Sequence, residues 1–212
     1  MGQKVNPNSF RLLQNRAASS WRAKWFAGRK LFAKNLQEDL KIRDFLENRL
    51  ETAGLVNLEI ERFNKRLKLK LLVARPGVVI GRGGKGLEET KLNLLKEVLP
   101  KHQSKNIEIQ VEEFKNADIS AKIVCERIAY QLANRMPHRR VVSKAIERTM
   151  AAGAKGIRIV LSGRIGGAEI GRNEKYSKGS VPLSTIRANI DYFEKPSLTR
   201  SGYVGIKVYI AS

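Results

Sequence analysis

A single cysteine, Cys125, stands in a chain of 212 residues. A lone thiol excludes a disulfide framework and a thiolate metal cluster. It lies beside Val124 in the helical run Ile119–Leu132, which reads as a small, inert, buried side chain. The two histidines, His102 and His138, have no Cys, His or paired carboxylates near them in sequence, so no metal-ligand set and no nucleophile–base pair is legible. No apolar run approaches the ~18 residues of a membrane span. The start, MGQKVNPNSF, lacks the apolar centre of a signal peptide, and Asn6 breaks the myristoylation pattern. These absences predict a soluble protein of a reducing compartment with no membrane association, no metal, no cofactor and no catalytic residues.

Acids are also scarce. Twenty Asp and Glu face 41 Lys and Arg, a formal net charge of +21. Solubility does not require a field of that size, but a polyanion does attract one, and nucleic acid is the commonest strong polyanion in a cell. Residues 1–34 contain no acid at all, while Lys4, Arg11, Arg16, Arg22, Lys24, Arg29, Lys30 and Lys34 all fall there. Residues 1–30 therefore read as a basic arm with a short helix, ordered best by a polyanionic partner. Trp21, Trp25 and Phe26 lie in it at helical spacing; they either dock that helix on a core or stack on bases, and docking is the simpler reading.

The remainder has the 42% hydrophobic content of a globular chain and divides into two α+β domains. In residues 31–114, Leu36, Leu40, Phe45 with Leu46, and Leu50 recur at helical spacing, with Gly54 as the stop. Leu58-x-Ile60 and Leu67-x-Leu69-x-Leu71-x-Val73 alternate as strands, with a tight hairpin at Asn64-Lys65. A glycine-rich turn, an amphipathic helix over Leu87–Leu99 closed by Pro100, and a strand at Ile107–Val111 complete an α-β-β-α-α-β order. Residues 115–212 read as a helical pair, Ile119–Met136 and Val141–Ala152, hinged at Pro137. A mostly antiparallel sheet of Ile157–Leu161, Ile186–Phe193 and Val204–Ile210 follows, with a variable turn region after the first strand.

The glycine-rich turn spells G-x-G-x-x-G at Gly81, Gly83 and Gly86. A dinucleotide fold needs a strand running into the first glycine inside a parallel βαβ unit. Here Arg75-Pro76-Gly77 intervenes and the preceding strand belongs to a hairpin. A phosphate-binding P-loop fails too, because Gly86 stands where Ser or Thr would hold magnesium. What remains is the shorter Gly81-Arg82-Gly83-Gly84, with Gly86 outside it. In the KH fold such a G-x-x-G turn joins two helices and clamps a nucleic-acid backbone. Arg82 and Lys85 add charge, and the N–H groups at the next helix start suit anions. The strand-strand-helix-turn-helix-strand setting is that of a type II KH domain.

Three blocks, MGQKVNPNSFRL, ARPGVVIGRGG and GAKGIRIVLSGRIGGAEIGRNEKYSKGSVPLSTIRANIDY, closely resemble the small-subunit ribosomal protein three family of bacterial type, and the likeness covers nearly the whole chain. The resemblance implies a type II KH domain followed by a second α+β domain, and a non-enzymatic, cytoplasmic place on the head of the small ribosomal subunit near messenger RNA entry. Implied partners are small-subunit ribosomal RNA, messenger RNA and neighbouring proteins such as ten and fourteen, with no homo-oligomer.

Two other surfaces concentrate cations. Arg140, Lys144 and Arg148 form one stripe at i, i+4 and i+8, opposite Val142, Ala145, Ile146 and Thr149, beside Arg139. A solvated helix face is the plain alternative, but like charges at that spacing repel, which favours a polyanion opposite. The resemblance implies messenger contacts for Arg139 and Arg140; its next basic position aligns with Ser143, with Lys144 adjacent. The loop from Gly163 to Arg172 interleaves glycines with Arg164 and Arg172 and continues to Lys175, Tyr176 and Lys178, a pattern suited to lying against sugar-phosphate. Lys4 and Arg11 in the arm join these as expected ribosomal RNA contacts. His138 reads as an RNA or solvent contact and His102 as part of a surface turn. A free-standing KH regulator would need neither the arm nor the second basic domain, and a nucleotide-dependent enzyme would need the fold excluded above.

Overall fold

Leu67, Leu69, Leu71 and Val73 alternate with polar residues, and all four are buried, the mark of a strand with one face on a core. The computed structural model describes residues 5–12, 21–63, 66–98 and 106–212. After a one-turn helix, α1 (Pro7–Phe10), the unit spanning residues 21–115 contains β1 (Ala23–Lys24), α2 (Arg29–Arg49), β2 (Leu55–Phe63), β3 (Arg66–Val73), α3 (Pro76–Ile80), α4 (Lys85–Glu97) and β4 (Ile107–Glu113). Its sheet order is β1-β2-β3-β4: β2 and β3 are antiparallel, and β4 runs parallel to β3 with Leu67 opposite Ile107. The pairing of Phe63 with Arg66 agrees with a tight hairpin, although Asn64 and Lys65 themselves lie outside the described residues. The observed order is the expected α-β-β-α-α-β, with β1 added at the sheet edge, parallel to β2.

Ile42, Leu46, Ile60, Leu94, Ile107 and the four β3 side chains form the core. Burying each contributes about 1.5–3 kcal/mol. The apolar stripe expected on α2 is corrected in its first half. Leu36 and Leu40 are 44% and 54% exposed, and the buried residue there is Asp39. Its carboxylate accepts from Arg62 Nε at 3.0 Å and from the Trp25 indole at 2.7 Å, while Arg62 Nη1 reaches Glu38 at 2.9 Å. A buried carboxylate is tolerable only with partners of this kind, so α2 is turned by a polar anchor at one end and by Ile42 and Leu46 at the other. On the sheet's outer face Lys24 pairs with Glu59 at 2.8 Å and Lys70 with Glu61 at 3.0 Å, so the acids of the chain neutralise that face.

The second unit joins the described residues 5–12 to 116–212. It holds α5 (Ala121–Ala133), α6 (His138–Ala151), β5 (Gly156–Gly163), β6 (Arg172–Gly179), β7 (Ile190–Thr199) and β8 (Gly202–Ala211). The sheet is antiparallel throughout, in the order β6-β5-β8-β7. Both helices cover one face: α5 packs on β7 and β8, and α6 on β5 and β6. Val124, Ile128, Val142, Ile157, Ile159, Leu161, Val208 and Ile210 fill the space between. Asp191 Oδ2 accepts from the Ala121 backbone N–H at 2.7 Å, satisfying one of the open groups at the start of α5.

Three expectations change here. The region read as variable turn contains β6, whose sequence RNEKYSKG has no apolar alternation because it is an edge strand burying little. The strand placed at residues 186–193 begins four residues later, at Ile190. The arm expected over residues 1–30 divides instead: α1 packs on β7 in the second unit, while Ala23 and Lys24 extend the first unit's sheet.

Candidate nucleic-acid interface

The turn between α3 and α4 is built from glycines in the left-handed region: Gly81 at φ 69°, Gly83 at 62° and Gly84 at 80°. All of Gly81, Arg82, Gly83 and Lys85 are exposed, with Gly84 half-buried, and Val79, 3% exposed, anchors the preceding helix to the core. A Cβ on Gly81 would stand 2.9 Å from the Gly86 nitrogen, and a Cβ on Gly86 would stand 2.9 Å from the Val79 carbonyl oxygen. Gly86 therefore belongs to the turn, correcting its exclusion on spacing alone: it lets α4 start against the end of α3. The N-cap Gly84 offers no side-chain bond to the first N–H groups of α4. Open helix N–H groups, positive dipole, Arg82 and Lys85 converge on one exposed turn, which suits a phosphate.

On α6 the periodicity holds. Val141, Val142, Ala145, Ile146 and Thr149 are buried, while Arg139, Arg140, Ser143, Lys144 and Arg148 are exposed. Exposed Glu147 shares their side of the helix beyond Lys144, so the cationic density is greatest toward the helix start. That start is uncapped, since Pro137 makes no side-chain bond to it.

Sequence reasoning missed what fixes this end of α6. Glu174, on β6, accepts from the Tyr176 hydroxyl at 2.5 Å and pairs with Arg172 Nε at 2.9 Å. His138 Nε2 lies 3.2 Å from the same carboxylate, at ion-pair distance but without hydrogen-bond alignment. Its ring packs where a Cβ on Gly166 would sit, 3.6 Å away. The Tyr176 hydroxyl holds the Glu174 carboxyl below the usual carboxylate range, helped by the charges of His138, Arg172 and Arg139. Burial, and then the bond to Glu174, pushes the Tyr176 hydroxyl up. The His138 ring thus packs the start of α6 against the loop before β6, with Glu174 of β6 beside it. Arg172, Glu174 and Tyr176 share a period-two spacing on β6, but nothing in the sequence links them to His138. His138 comes from α6, and only the packing of α6 on β6 brings it to them.

The remaining expected contacts divide. Lys175 and Lys178 are exposed on β6, with Lys178 opposite Ile157 and Lys175 opposite Val160. Arg172 is half-exposed and committed to Glu174. Arg164 is exposed, but its guanidinium donates to the carbonyls of Ala168 at 2.8 Å and Ser201 at 3.2 Å, shaping the loop itself. Lys4 and His102 lie outside the described residues.

Arg11 is a correction. It is 2% exposed, and its guanidinium donates to the backbone carbonyls of Pro7, Pro182, Leu183, Thr185 and Ala188 at 2.8–3.3 Å. A side chain so engaged locks α1 to the segment before β7 and has no donor facing a phosphate.

Comparison with known proteins identifies the family of each unit. Residues 41–119 match the family described as KH domain, and residues 128–210 match ribosomal protein S3, C-terminal domain. The small ribosomal subunit protein uS3 of Clostridium perfringens (strain SM101 / Type A) is 45% identical over 210 residues, covering 99% of this chain and 91% of that relative. The protein of the same name from Clostridium novyi (strain NT) is 43% identical, and that from Shouchella clausii (strain KSM-K16) 45%, each covering 99% of this chain and 92% of the relative.

Proposed function

The chain belongs to the small ribosomal subunit protein uS3 family, and from that premise we propose where in the particle it works and through which residues. As a member of that family it is a structural, non-enzymatic, RNA-binding component of the small ribosomal subunit. Our reading puts it on the head of the subunit, in one copy, with neighbouring proteins such as ten and fourteen beside it. Its KH turn, Gly81 to Lys85, takes ribosomal RNA backbone, as do Lys175 and Lys178, with Lys4 a further contact. Arg164 and Arg172 act on RNA indirectly, by shaping the loop and strand that carry the lysines.

The second unit lines the messenger entry. Arg139 and Arg140 contact the incoming strand, Lys144 supplies the cation that Ser143 lacks, and Arg148 continues the line. The observation that carries this reading is the exposed cluster of Arg139, Arg140 and Lys144 at an uncapped helix start whose His138 packs beside Glu174. A fixed cationic helix end can grip phosphates without first losing much side-chain freedom.

The test replaces Arg139 and Arg140 with Ala in assembled ribosomes. Translation of a messenger with a hairpin ahead should slow relative to an unstructured messenger. An unchanged ratio of the two rates removes the messenger-path assignment while leaving membership of the subunit intact.

A further inference from the structure

The three aromatic residues of the acid-free segment do not share one fate. Trp25 is docked: its indole N–H donates to Asp39 at 2.7 Å, and its ring centroid lies 5.3 Å from that of Phe32. Trp21 and Phe26, on either side, are 84% and 97% exposed. Leaving two large rings in water costs folding free energy that burial would recover, so their outward placement calls for an occupant.

The backbone between them is fixed. Arg22 carbonyl oxygen accepts from the Ile60 N–H at 2.9 Å and from Arg43 Nη2 at 2.9 Å, and Ala23 and Lys24 pair with β2. Anchoring at Arg22 and at Trp25 sets the rings on a rigid edge, so little order remains to be imposed on binding. Exposed Arg22, Arg29 and Lys30 flank them in sequence, and the acids that meet this segment, Glu59, Glu61 and Asp39, are engaged by Lys24 and Trp25. Exposed Phe32, Leu36 and Leu40 continue along α2 as an apolar stripe that would suit a protein, but Trp21 and Phe26 themselves are interleaved with cations, which matches single-stranded nucleic acid, where bases stack and phosphates are neutralised.

We propose that Trp21 and Phe26 form a second RNA site, separate from the KH turn, which takes unpaired bases by stacking. The inference rests on the RNA-binding reading above and adds a chemical class to it: unpaired bases rather than duplex backbone. Either a loop of ribosomal RNA or a stretch of messenger would supply such bases.

The test uses the full chain and two labelled probes, a short oligoadenylate and an RNA duplex, followed by fluorescence anisotropy. Trp21→Ala and Phe26→Ala should each weaken oligoadenylate binding about tenfold. Duplex affinity should stay unchanged, as should the salt dependence of both, because no cation is removed. Trp21→Phe and Phe26→Tyr keep a stacking ring and should retain most of the affinity. Thermal melting should not move, since neither ring is packed. Equal losses on both probes, or none on either, overturn the stacking site; a protein-docking role for the rings gives the second result. If the unaltered chain binds neither probe, the RNA-binding reading itself fails, which is a different outcome. To separate the two RNA sources, variant subunits with normal assembly but weakened messenger binding point to messenger, and subunits that assemble poorly point to ribosomal RNA.

Discussion

Replacing Arg11 with Met should unfold the second unit early while leaving the RNA affinity of the folded protein intact. The guanidinium serves five backbone carbonyls while only 2% exposed. Hydrogen bonds involving a charged group contribute about 1.5–3 kcal/mol each, and they do not add when one group serves all acceptors. Several of these carbonyls are only part-buried, so water can replace some of what is lost. We therefore expect destabilisation of about 3 kcal/mol rather than the sum. For a unit of roughly a hundred residues that lowers the melting temperature by roughly 10–20 °C. Calorimetry or far-ultraviolet circular dichroism reads the shift, and RNA titrations well below the transition read affinity. If Arg11 met a phosphate instead, its loss would leave melting unchanged and reduce the salt slope of binding by about one. That pair of results would refute the structural assignment.

Three further outcomes follow from the geometry. Gly86→Ala forces a Cβ to within 2.9 Å of the Val79 carbonyl oxygen, so urea unfolding should show a loss of about 1–3 kcal/mol in the first unit, and a wild-type midpoint would show that the turn relaxes freely. Glu174 has a depressed folded-state pKa, so the stability it contributes is present above the ordinary carboxylate range and is lost as pH falls through the folded value. The unfolding free energies of wild type and Glu174→Gln should therefore differ at neutral pH and draw together as pH falls below the ordinary carboxylate range toward the folded value; a constant gap contradicts the charge-based role. Burial pushes the Cys125 thiol up to about 12, so iodoacetamide at pH 8 should leave it unmodified in the folded protein and label it in urea.

Legibility followed the physics of each element. Alternation in Leu67–Val73 and the apolar face of α6 needed nothing beyond their own periodicity, and both appear as read. Periodicity failed in α2 because a buried carboxylate can occupy a core position when Arg62 and Trp25 satisfy it, and apolar spacing then points to Leu36 and Leu40 instead. It failed again at β6, whose single partly buried ring, Tyr176, leaves no repeating pattern. Among the cations, residue type could not separate roles. Arg11 and Arg139 are the same side chain, one enclosed by carbonyls contributed from 171–177 residues away in sequence, the other open to solvent. The approach of His138 to Glu174 was unreadable for the same reason, since α6 and β6 meet only across the fold.

The central claim, that this basic two-unit chain is an RNA-held component of the small ribosomal subunit, is tested most directly by co-sedimentation. Tagged protein expressed in cells should travel with small subunits through a sucrose gradient and stay with them after a high-salt wash, because many phosphate contacts and the surrounding particle act together. Recovery of the protein in the free fraction, before or after the wash, would contradict the account.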